Sequence, residues 1–269
     1  MERRFPAREI DRQVRELVAR ARREYGLAEG CDGTTACRRL GLDLGEGSLP
    51  AKTDGLLSGN RIVLNDRITW PPRREFTVFH EITHYLLDED GELIEYLTDA
   101  YRKDANAFRQ ELERCCNVGA AEFLMPQQRV YDAIREEGFS IGLLERIVAR
   151  HGVSVVAAAQ QLASCAPAGS YVVLAAASGG GVLSIEYAFT APDTKYPLAR
   201  FYPLAADHLF VTSWESHRRV SGPTYIPFRS GNTKPCYGEA QPLGGRVVGF
   251  LTDRRPPGAG QLALPLFGS

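Results

Sequence analysis

The chain has 269 residues, of which 44% are hydrophobic, and its formal net charge is -1. This composition predicts one large domain or two to three small ones with real cores, and it excludes a largely disordered chain. The net charge gives no global attraction to polyanions, so nucleic-acid binding would need a local patch.

The termini and the cysteines indicate the compartment. No segment approaches the roughly 18 to 20 uncharged apolar residues that cross a bilayer, and the charged start "MERRFPAREIDR" is unlike a signal peptide. The six cysteines are scattered, and an ordinary disulfide between the adjacent Cys115 and Cys116 would be strained. We therefore expect a soluble, cytoplasmic protein with reduced thiols and no membrane contact.

The first 72 residues predict a helix, a short strand and the start of a second helix. Residues 7 to 25 place apolar side chains at the helical spacing, namely Ile10, Val14, Leu17, Val18 and Ala21. After a segment rich in Gly, Ser and Asp, Arg61 to Leu64 ("RIVL") reads as a strand whose edge would hold an extended peptide. Pro71 and Pro72 suit the first turn of the following helix.

That helix contains "FTVFHEITHYLLDED", Phe76 to Asp90, with two of the five histidines of the chain. Positions i and i+4 lie about 40° apart on a helix, so His80 and His84 can offer two imidazole nitrogens to one cation. Glu81 lies about 100° round, where a general base would reach a water molecule without displacing it from the metal. The spacing therefore predicts part of a zinc site, and the alternative is a surface helix with incidental histidines.

A third ligand is sought on the second helical region, which is predicted from Gly91 to about Leu124 and is closed by "MPQQ". Helical phase places Glu113 as the one charge on an otherwise inward face, with Glu111, Cys115 and Glu122 opposite. An inward carboxylate is costly unless it is paired or bound to a metal. Glu113 is therefore the candidate ligand, while a buried ion pair of Glu113 and a soft ligand at Cys116 stay open as alternatives.

The rest of the chain changes from helical to strand-like patterns. Two amphipathic helices joined by "HGVS" match a helix-turn-helix pattern, but the second one, "VVAAAQQLA", carries no Arg or Lys for phosphates or guanine edges, which argues against DNA reading. Beyond the linker "CAPAGS", Cys165 to Ser170, β-rich runs predict a second domain from about residue 167, α+β or mostly β.

Three segments together resemble the ImmA/IrrE metallopeptidases, in particular the PprI/IrrE branch of radiation and desiccation response regulators: "REFTVFHEITHYLL", "ERCCNVGAAEFLMP" and "YIPFRSG". The resemblance covers most of the chain in order. It implies that His80, His84 and Glu113 are the zinc ligands and that Glu81 is the catalytic glutamate. The connection between the two metal-binding helices is longer than the branch suggests, which keeps Glu111 open as an alternative.

The same resemblance implies the fold class and the domains. The expected class is α+β, with a zincin-like (gluzincin-type) peptidase domain over residues 1–126 and a helix-turn-helix segment over 127–165. A GAF-like sensor domain is expected over 166–256, and a flexible tail over 257–269. The implied activity is zinc-dependent, site-specific cleavage of a helix-turn-helix repressor, the DdrO repressor in this branch, which induces DNA-damage-response genes. The alternative is a non-enzymatic DNA-binding regulator with a structural metal.

Further residues are candidates for supporting roles at the metal site. Asn117, one turn after Glu113, is placed to hydrogen-bond a ligand. Tyr85, Tyr101 and Arg102 are candidates for stabilising the carbonyl oxygen by type and position. First-row metals compete for nitrogen and oxygen ligands, so Mn²⁺ stays open beside Zn²⁺.

Two hypotheses concern control and partners. The second domain is expected to receive a small-molecule or redox signal, with "PFRSG", Pro227 to Gly231, shaping a pocket, a contact surface or a turn. The tail resembles the peptides that dock on the β sliding clamp, because a Pro/Gly tether precedes a short apolar segment. Its anchor candidates are Gln261, Leu262, Leu264, Leu266 and Phe267.

Overall fold

The computed structural model describes residues 7–177, 181–196, 198, 200–201, 203–228 and 230–253. The chain divides into two compact units, one with Met1–Val130 and Arg146–Ala158, the other with Tyr131–Glu145 and Ala159–Ser269. Both units contain helices and strands, which confirms the predicted α+β class. None of the described helices is both long and apolar enough to cross a membrane.

The first unit is built mainly from the N-terminal half of the chain. Its elements are α1 (Ala7–Glu24), α2 (Gly33–Leu40), β1 (Asp43–Gly47), β2 (Gly55–Ser58), β3 (Arg61–Asn65), α3 (Pro71–Asp90), α4 (Glu92–Ala100) and α5 (Ala105–Leu124). Three helices of 11 residues each follow along the chain, α6 (Gln127–Glu137), α7 (Ile141–His151) and α8 (Val155–Cys165).

The sheet of the first unit has the strand order β1-β3-β2. Strand β3 forms because Ile62 and Leu64 alternate inward and are almost fully buried. It pairs in parallel with β1 and in antiparallel with β2. The expectation that the "RIVL" strand offers a free edge to a peptide is therefore wrong, since β3 has a neighbour on each side and the outer strands are β1 and β2.

Helices α1, α3 and α5 pack against one another and form most of the hydrophobic core of the first unit. The five apolar side chains predicted to form the inner face of α1 are all buried, which confirms that prediction. Helix α3 begins at Pro71, also as predicted, because proline at the first helical positions loses no intrahelical hydrogen bond.

The helical region predicted after Gly91 consists of two helices. Helix α4 ends at Ala100 and α5 begins at Ala105. The break is stabilised by Asp104, whose Oδ1 accepts hydrogen bonds from the N–H groups of Asn106 (3.1 Å) and Ala107 (2.9 Å). Such a cap satisfies backbone donors that a new helix would otherwise leave unpaired.

The second unit contains an antiparallel five-stranded sheet with the order β5-β4-β8-β7-β6. Its elements are β4 (Ser170–Ala177), β5 (Leu183–Thr190), α9 (Leu209–Ser216), β6 (Val220–Pro227), β7 (Thr233–Leu243) and β8 (Arg246–Thr252). Helix α9 lies on the sheet at Gly249, where a Cβ atom would come within 2.0 Å of the Phe210 ring. The buried His208 caps α9, with its Nδ1 accepting from the Phe210 N–H (3.2 Å).

Candidate metal centre

Helix α3 brings two histidines and one glutamate to the same open cleft. His80 and His84 are one helical turn apart, and their ring centroids are 5.0 Å from each other in an edge-to-face arrangement. Their side chains are mostly buried, with 14% and 20% of their surface exposed. The other side of α3 packs into the core through Phe79 and Ile82. The helix is thereby fixed in rotation, and the two imidazoles are held toward the cleft.

Helix α5 supplies a carboxylate to the two imidazoles. The Oε2 atom of Glu113 lies 3.1 Å from Nε2 of His80, and its Oε1 atom lies 3.6 Å from Nε2 of His84. This approach requires a glycine at the crossing of the two helices, because a Cβ atom on Gly119 would lie 2.4 Å from Cγ2 of the buried Thr83. Gly119 therefore sets the spacing at which Glu113 reaches α3.

The prediction that Glu113 lies on an inward face of α5 is wrong. The Glu113 side chain is 53% exposed, whereas those of Glu111 and Glu122 are 14% and 13% exposed. The reason is that α5 lies between α1 and α3, so that the side taken as outward is covered by α1. On that side Glu111 accepts hydrogen bonds from the Arg114 guanidinium at 2.6 and 3.0 Å. Glu111 is thus engaged in an ion pair away from the histidines.

Asn117 orients the imidazole of His80. Its Oδ1 lies 3.1 Å from Nδ1 of His80, a distance at which the ring N–H donates to the amide oxygen. In the neutral ring Nε2 then carries a lone pair, which faces the Glu113 carboxylate 3.1 Å away. A proton on Nε2 or a bound cation would remove the repulsion between these two acceptors. The donor set fits a divalent metal, since imidazole and carboxylate are common ligands of zinc.

The thiol of Cys116 is a further donor beside the histidines. One ring nitrogen of His80, one of His84 and the Sγ atom of Cys116 all lie within 4.8 Å of one another. Burial holds the pKa of this thiol well above its usual range, and the charge of Glu113 adds to the effect. The site therefore contains two candidates for a third ligand, the half-exposed carboxylate and the buried thiol.

Glu81 lies between α3 and β2, where it is almost fully buried at 7% exposure. Burial raises the pKa of Glu81 to about 7, the hydrogen bond from the Leu57 backbone N–H opposes the rise, and the negative charge of Glu113 adds to it. A carboxylate with this pKa can accept and return a proton near neutral pH. The strand approaches closely because residue 55 is glycine, as a Cβ atom there would lie 2.8 Å from Oε1 of Glu81.

The cleft has a volume of ≈ 680 Å³ and is open to solvent. Its walls come from α3, α5, β2 and the residues before β2. Besides His80, Glu81, His84, Glu113 and Asn117, the lining includes Lys52, Thr53, Asp54, Gly55, Leu56, Leu57, Phe76, Thr77, Asp88 and Arg109. A cleft with a strand along one wall can accommodate an extended peptide.

The three residues suggested for the carbonyl oxygen lie elsewhere in the described chain. Tyr85 and Tyr101 pack against the core cluster of the first unit, and Arg102 lies 3.9 Å from Asp99. None of the three lines the cleft as far as the structure describes it. Arg109 lines the cleft instead, one turn before Glu113. Its position four residues before the candidate ligand was the signal that sequence reasoning overlooked.

The tail candidates Gln261, Leu262, Leu264, Leu266 and Phe267 lie outside the described residues, as does Arg229 of "PFRSG". The hypothesis of sliding-clamp docking therefore stays a prediction.

Known proteins are similar in sequence to this chain over as much as 70% of its length. Residues 37–163 match the Peptidase_M78 family, described as the IrrE N-terminal-like domain. The radiation response metalloprotease IrrE of Deinococcus deserti is 33% identical over 196 residues, which cover 70% of this chain and 69% of that protein. The protein of the same name from Deinococcus radiodurans is 29% identical over 205 residues, covering 70% of this chain and 62% of that protein. This chain thus spans less than two thirds of the second relative.

A solved structure described as a Mycobacterium tuberculosis transcriptional regulator is also similar, with a TM-score of 0.58 and 15% sequence identity. The similarity covers 91% of this chain and 76% of that one. At this identity it indicates a shared fold and nothing about activity.

The peptidase-family match and the metalloprotease relatives define the class of the protein, which is a metalloprotease. The chain belongs to the ImmA/IrrE family of metallopeptidases. The resemblance found in the "HEITH" and "ERCCN" segments is thereby confirmed. A metal cofactor and a protein substrate follow from this class.

Proposed function

We propose that this protein is a zinc-dependent, site-specific endopeptidase that cleaves a helix-turn-helix repressor of the DdrO kind and so induces a radiation and DNA-damage response. The observation that carries the proposal is the joint placement of His80, His84, Glu113 and Glu81 in one open cleft. The radiation-response relatives support the biological setting.

The residues of the cleft have different roles in peptide hydrolysis. His80, His84 and Glu113 would hold the ion, and Asn117 would keep the His80 ring in the tautomer that leaves Nε2 unprotonated. The ion, when bound, supplies Lewis acidity that activates water and polarises the peptide carbonyl. Glu81 accepts the proton of the attacking water and returns it to the leaving amide nitrogen, for which a pKa near 7 is suited.

Arg109 is the residue of the cleft that we assign to substrate binding. It is exposed, lines the cleft one turn before Glu113, and forms no ion pair within the described residues. A guanidinium in this position can donate to a peptide carbonyl oxygen or to an acidic side chain of the substrate. We expect Arg109→Ala to raise KM or lower kcat for a protein substrate while metal binding is retained.

The predicted domain division is part of the proposal. Residues 1–126 would be the zincin-like (gluzincin-type) peptidase, 127–165 the helix-turn-helix segment and 166–256 a GAF-like domain that receives a small-molecule or redox signal. The antiparallel sheet with α9 packed on it supports a separate α+β domain in the C-terminal part. Thermal-shift screening of the full chain against small metabolites and redox agents would identify such a signal.

The alternative, a DNA-binding regulator with a structural metal, has little support in the exposed surface of α8. Of the residues of this helix, Gln160 alone is exposed, and no basic side chain is present to neutralise phosphates. Tight duplex binding with a steep salt dependence, without cleavage of any repressor, would favour this alternative.

The test is a cleavage assay with the full chain, zinc and a DdrO-like repressor, with and without a chelator. We expect two discrete fragments with metal, no cleavage with chelator, and no cleavage by Glu81→Gln. Glu89→Gln is the matched control, since Glu89 lies on the same helix but is exposed. An intact repressor with the metal-loaded wild type would refute the function, and appreciable cleavage by Glu81→Gln would refute the role of Glu81.

A further inference from the structure

Gly55 is a glycine within a strand whose backbone does not require one. It lies in β2, pairs with Leu64 of β3, and its φ angle is outside the left-handed region that favours glycine. Glycine weakens a strand because it has no side chain to pack, and in a strand it often marks a place where another group approaches closely. The reason for a glycine at position 55 therefore lies in its surroundings.

Two side chains of α3 occupy the space in which a side chain at position 55 would lie. A Cβ atom on Gly55 would lie 2.6 Å from Cγ2 of Thr77, 2.8 Å from Oε1 of Glu81 and 3.0 Å from Cγ of Glu81. Thr77 is buried and its hydroxyl donates to the carbonyl oxygen of Arg73 (2.8 Å). Glu81 borders the open cleft, so its carboxylate is the group that a Cβ atom would displace.

Strand β2 also holds the Glu81 carboxylate by a hydrogen bond. The strand has β3 as its neighbour on one side, and the backbone N–H of Leu57 donates to Glu81. Glu81 thus meets β2 at two alternate residues, through close packing at Gly55 and through a hydrogen bond at Leu57. The hydrogen bond is accessible to the carboxylate because position 55 leaves the space between them empty.

The segment that leads into β2 is fixed on both sides. The buried Asn65 of β3 donates from its Nδ2 atom to the carbonyl oxygen of Thr53 (2.7 Å). Asp54 accepts two hydrogen bonds from the guanidinium of Arg73, in the first turn of α3, both at 2.8 Å. The strand is therefore tied to β3 and to α3 directly beside Gly55. A Cβ atom there would be accommodated by the carboxylate rather than by movement of the strand.

We propose that Gly55 and the Leu57 N–H are positioning groups of the peptidase reaction, which hold the Glu81 carboxylate where it can reach the attacking water. This assignment rests on the proposed function and deepens it, because it identifies what keeps the general base in place. A general base acts only within hydrogen-bond reach of the proton that it accepts. A misplacement of about 1 Å can cost about 100-fold in rate, so a carboxylate fixed before the substrate binds favours catalysis.

Kinetics of the full-length Gly55→Ala variant test the role of the glycine. We expect kcat for the repressor to fall about 100-fold, since the base is displaced. Zinc affinity should stay within about twofold of the wild type, since no candidate metal ligand is changed. Wild-type kcat in Gly55→Ala would overturn the proposal.

Gly45→Ala is the matched control in the same sheet. Gly45 lies within β1, and a Cβ atom there would have the outer end of the flexible Arg61 side chain as its nearest neighbour, with Nη2 at 3.3 Å. This variant should cleave with the kcat of the wild type. An equal loss of kcat in Gly45→Ala and Gly55→Ala would mean that alanine in the sheet, and not the position of Glu81, causes the loss.

A second substitution separates the two contacts of Gly55. Thr77→Ser removes the Cγ2 atom that a Cβ atom on Gly55 would meet, and it leaves the contact with Glu81. We expect Gly55→Ala/Thr77→Ser to remain far below Thr77→Ser in kcat. Recovery to the level of Thr77→Ser would show that Gly55 serves packing against Thr77 alone, and it would refute the positioning role.

Hydrogen exchange of the Leu57 amide tests the same geometry without a substrate. In the metal-free full chain, measured by NMR, the Leu57 N–H should exchange faster in Gly55→Ala and in Glu81→Ala than in the wild type and Gly45→Ala. Unchanged exchange in Glu81→Ala would overturn the proposal. If Gly55→Ala does not fold by circular dichroism, Glu81→Ala still decides whether Leu57 holds the carboxylate, since it adds no group.

The two experiments keep this proposal and the proposed function apart. Faster Leu57 exchange in the variants, with an intact repressor in the presence of metal-loaded wild type, would support the positioning of Glu81 and refute the peptidase function. Repressor cleavage with the same kcat in Gly55→Ala as in the wild type would support the function and refute the positioning role.

Discussion

Helix α5 carries ionisable side chains on the side that packs against α1 and on the side that faces the open cleft, and the two sides balance their charges differently. Toward α1, the Arg114 guanidinium donates hydrogen bonds to both Glu111 and Asp11, so each carboxylate has a cation beside it. Such pairs satisfy the groups that packing has removed from water, and they add modestly to stability. This side of the helix is organised to hold α5 against α1.

On the side that faces α3, the potential metal-binding groups lie close together without a Lys or Arg of the described chain beside them. Among the described residues, the ion-pair contacts of Glu113 are those to His80 and His84, and no Lys or Arg lies within bonding distance. Nδ1 of His80 is at hydrogen-bond distance from Asn117, so Nε2 is the nitrogen of this ring that faces the Glu113 carboxylate. The comparison teaches that a charged residue near a core is structural where its partner is present and a candidate ligand where the partner is missing.

The largest expected effect is on metal affinity. Glu113→Gln should lower zinc affinity about 100-fold or more, because removal of a ligand exceeds the roughly 10- to 100-fold cost of losing a ligand's supporting contact. Glu111→Gln is the matched control and should bind zinc like the wild type. Isothermal titration or chelator competition measures both, and equal losses in the two variants would contradict the assignment.

The second effect concerns stability of the metal-free protein. The pKa of Glu81 is raised by burial from 4.5 to about 7, so the folded state loses stability as pH rises between these values. Glu81→Gln removes the buried charge and should raise the free energy of unfolding by about 3 kcal/mol at about pH 8. The gain should vanish at about pH 4, where the wild-type carboxyl is neutral in both states. Urea denaturation at both pH values tests this, with Glu89→Gln as the exposed control.

A smaller effect is expected at Asn117. Asn117→Ala leaves Nδ1 of His80 without its acceptor and no longer fixes the ring tautomer, so zinc affinity should fall about 10-fold. Asn117→Asp keeps an acceptor oxygen and should retain most of the affinity. Chelator competition with both variants distinguishes the hydrogen bond from simple packing, and an unaltered affinity in Asn117→Ala would refute the role.

The smallest effect is expected on the α1 side. Glu111→Gln weakens the hydrogen bonds to Arg114, but Asp11 continues to balance the guanidinium. The free energy of unfolding should fall by under about 1 kcal/mol, as is usual for partly exposed ion pairs. Thermal or urea unfolding measures the change. A loss several times larger, or one accompanied by loss of zinc, would mean that the two sides of α5 are not separable.

Local patterns predicted the helices that carry the site. The apolar spacing of α1 and the prolines in the first turn of α3 required no tertiary information, since amphipathicity and helix starts are properties of a few consecutive residues. The sequence prediction gave no position for the break before α5, although Asp104 is a typical capping residue. The order of the three-stranded sheet was also beyond local patterns, because pairing joins strands that are separate in sequence.

The spacing of His80 and His84 was enough to establish that the two rings share one face, because a helix repeats about every 3.6 residues. Which side chain of α5 meets them was a matter of three-dimensional packing. Helical phase favoured Glu113 over Glu111 on the assumption that only one side of α5 packs against other elements. In the structure α5 packs against both α1 and α3. Gly119 lets α5 approach α3 closely. The rotation of α5 about its axis decides that Glu113 and Cys116 are the side chains that lie near the two histidines.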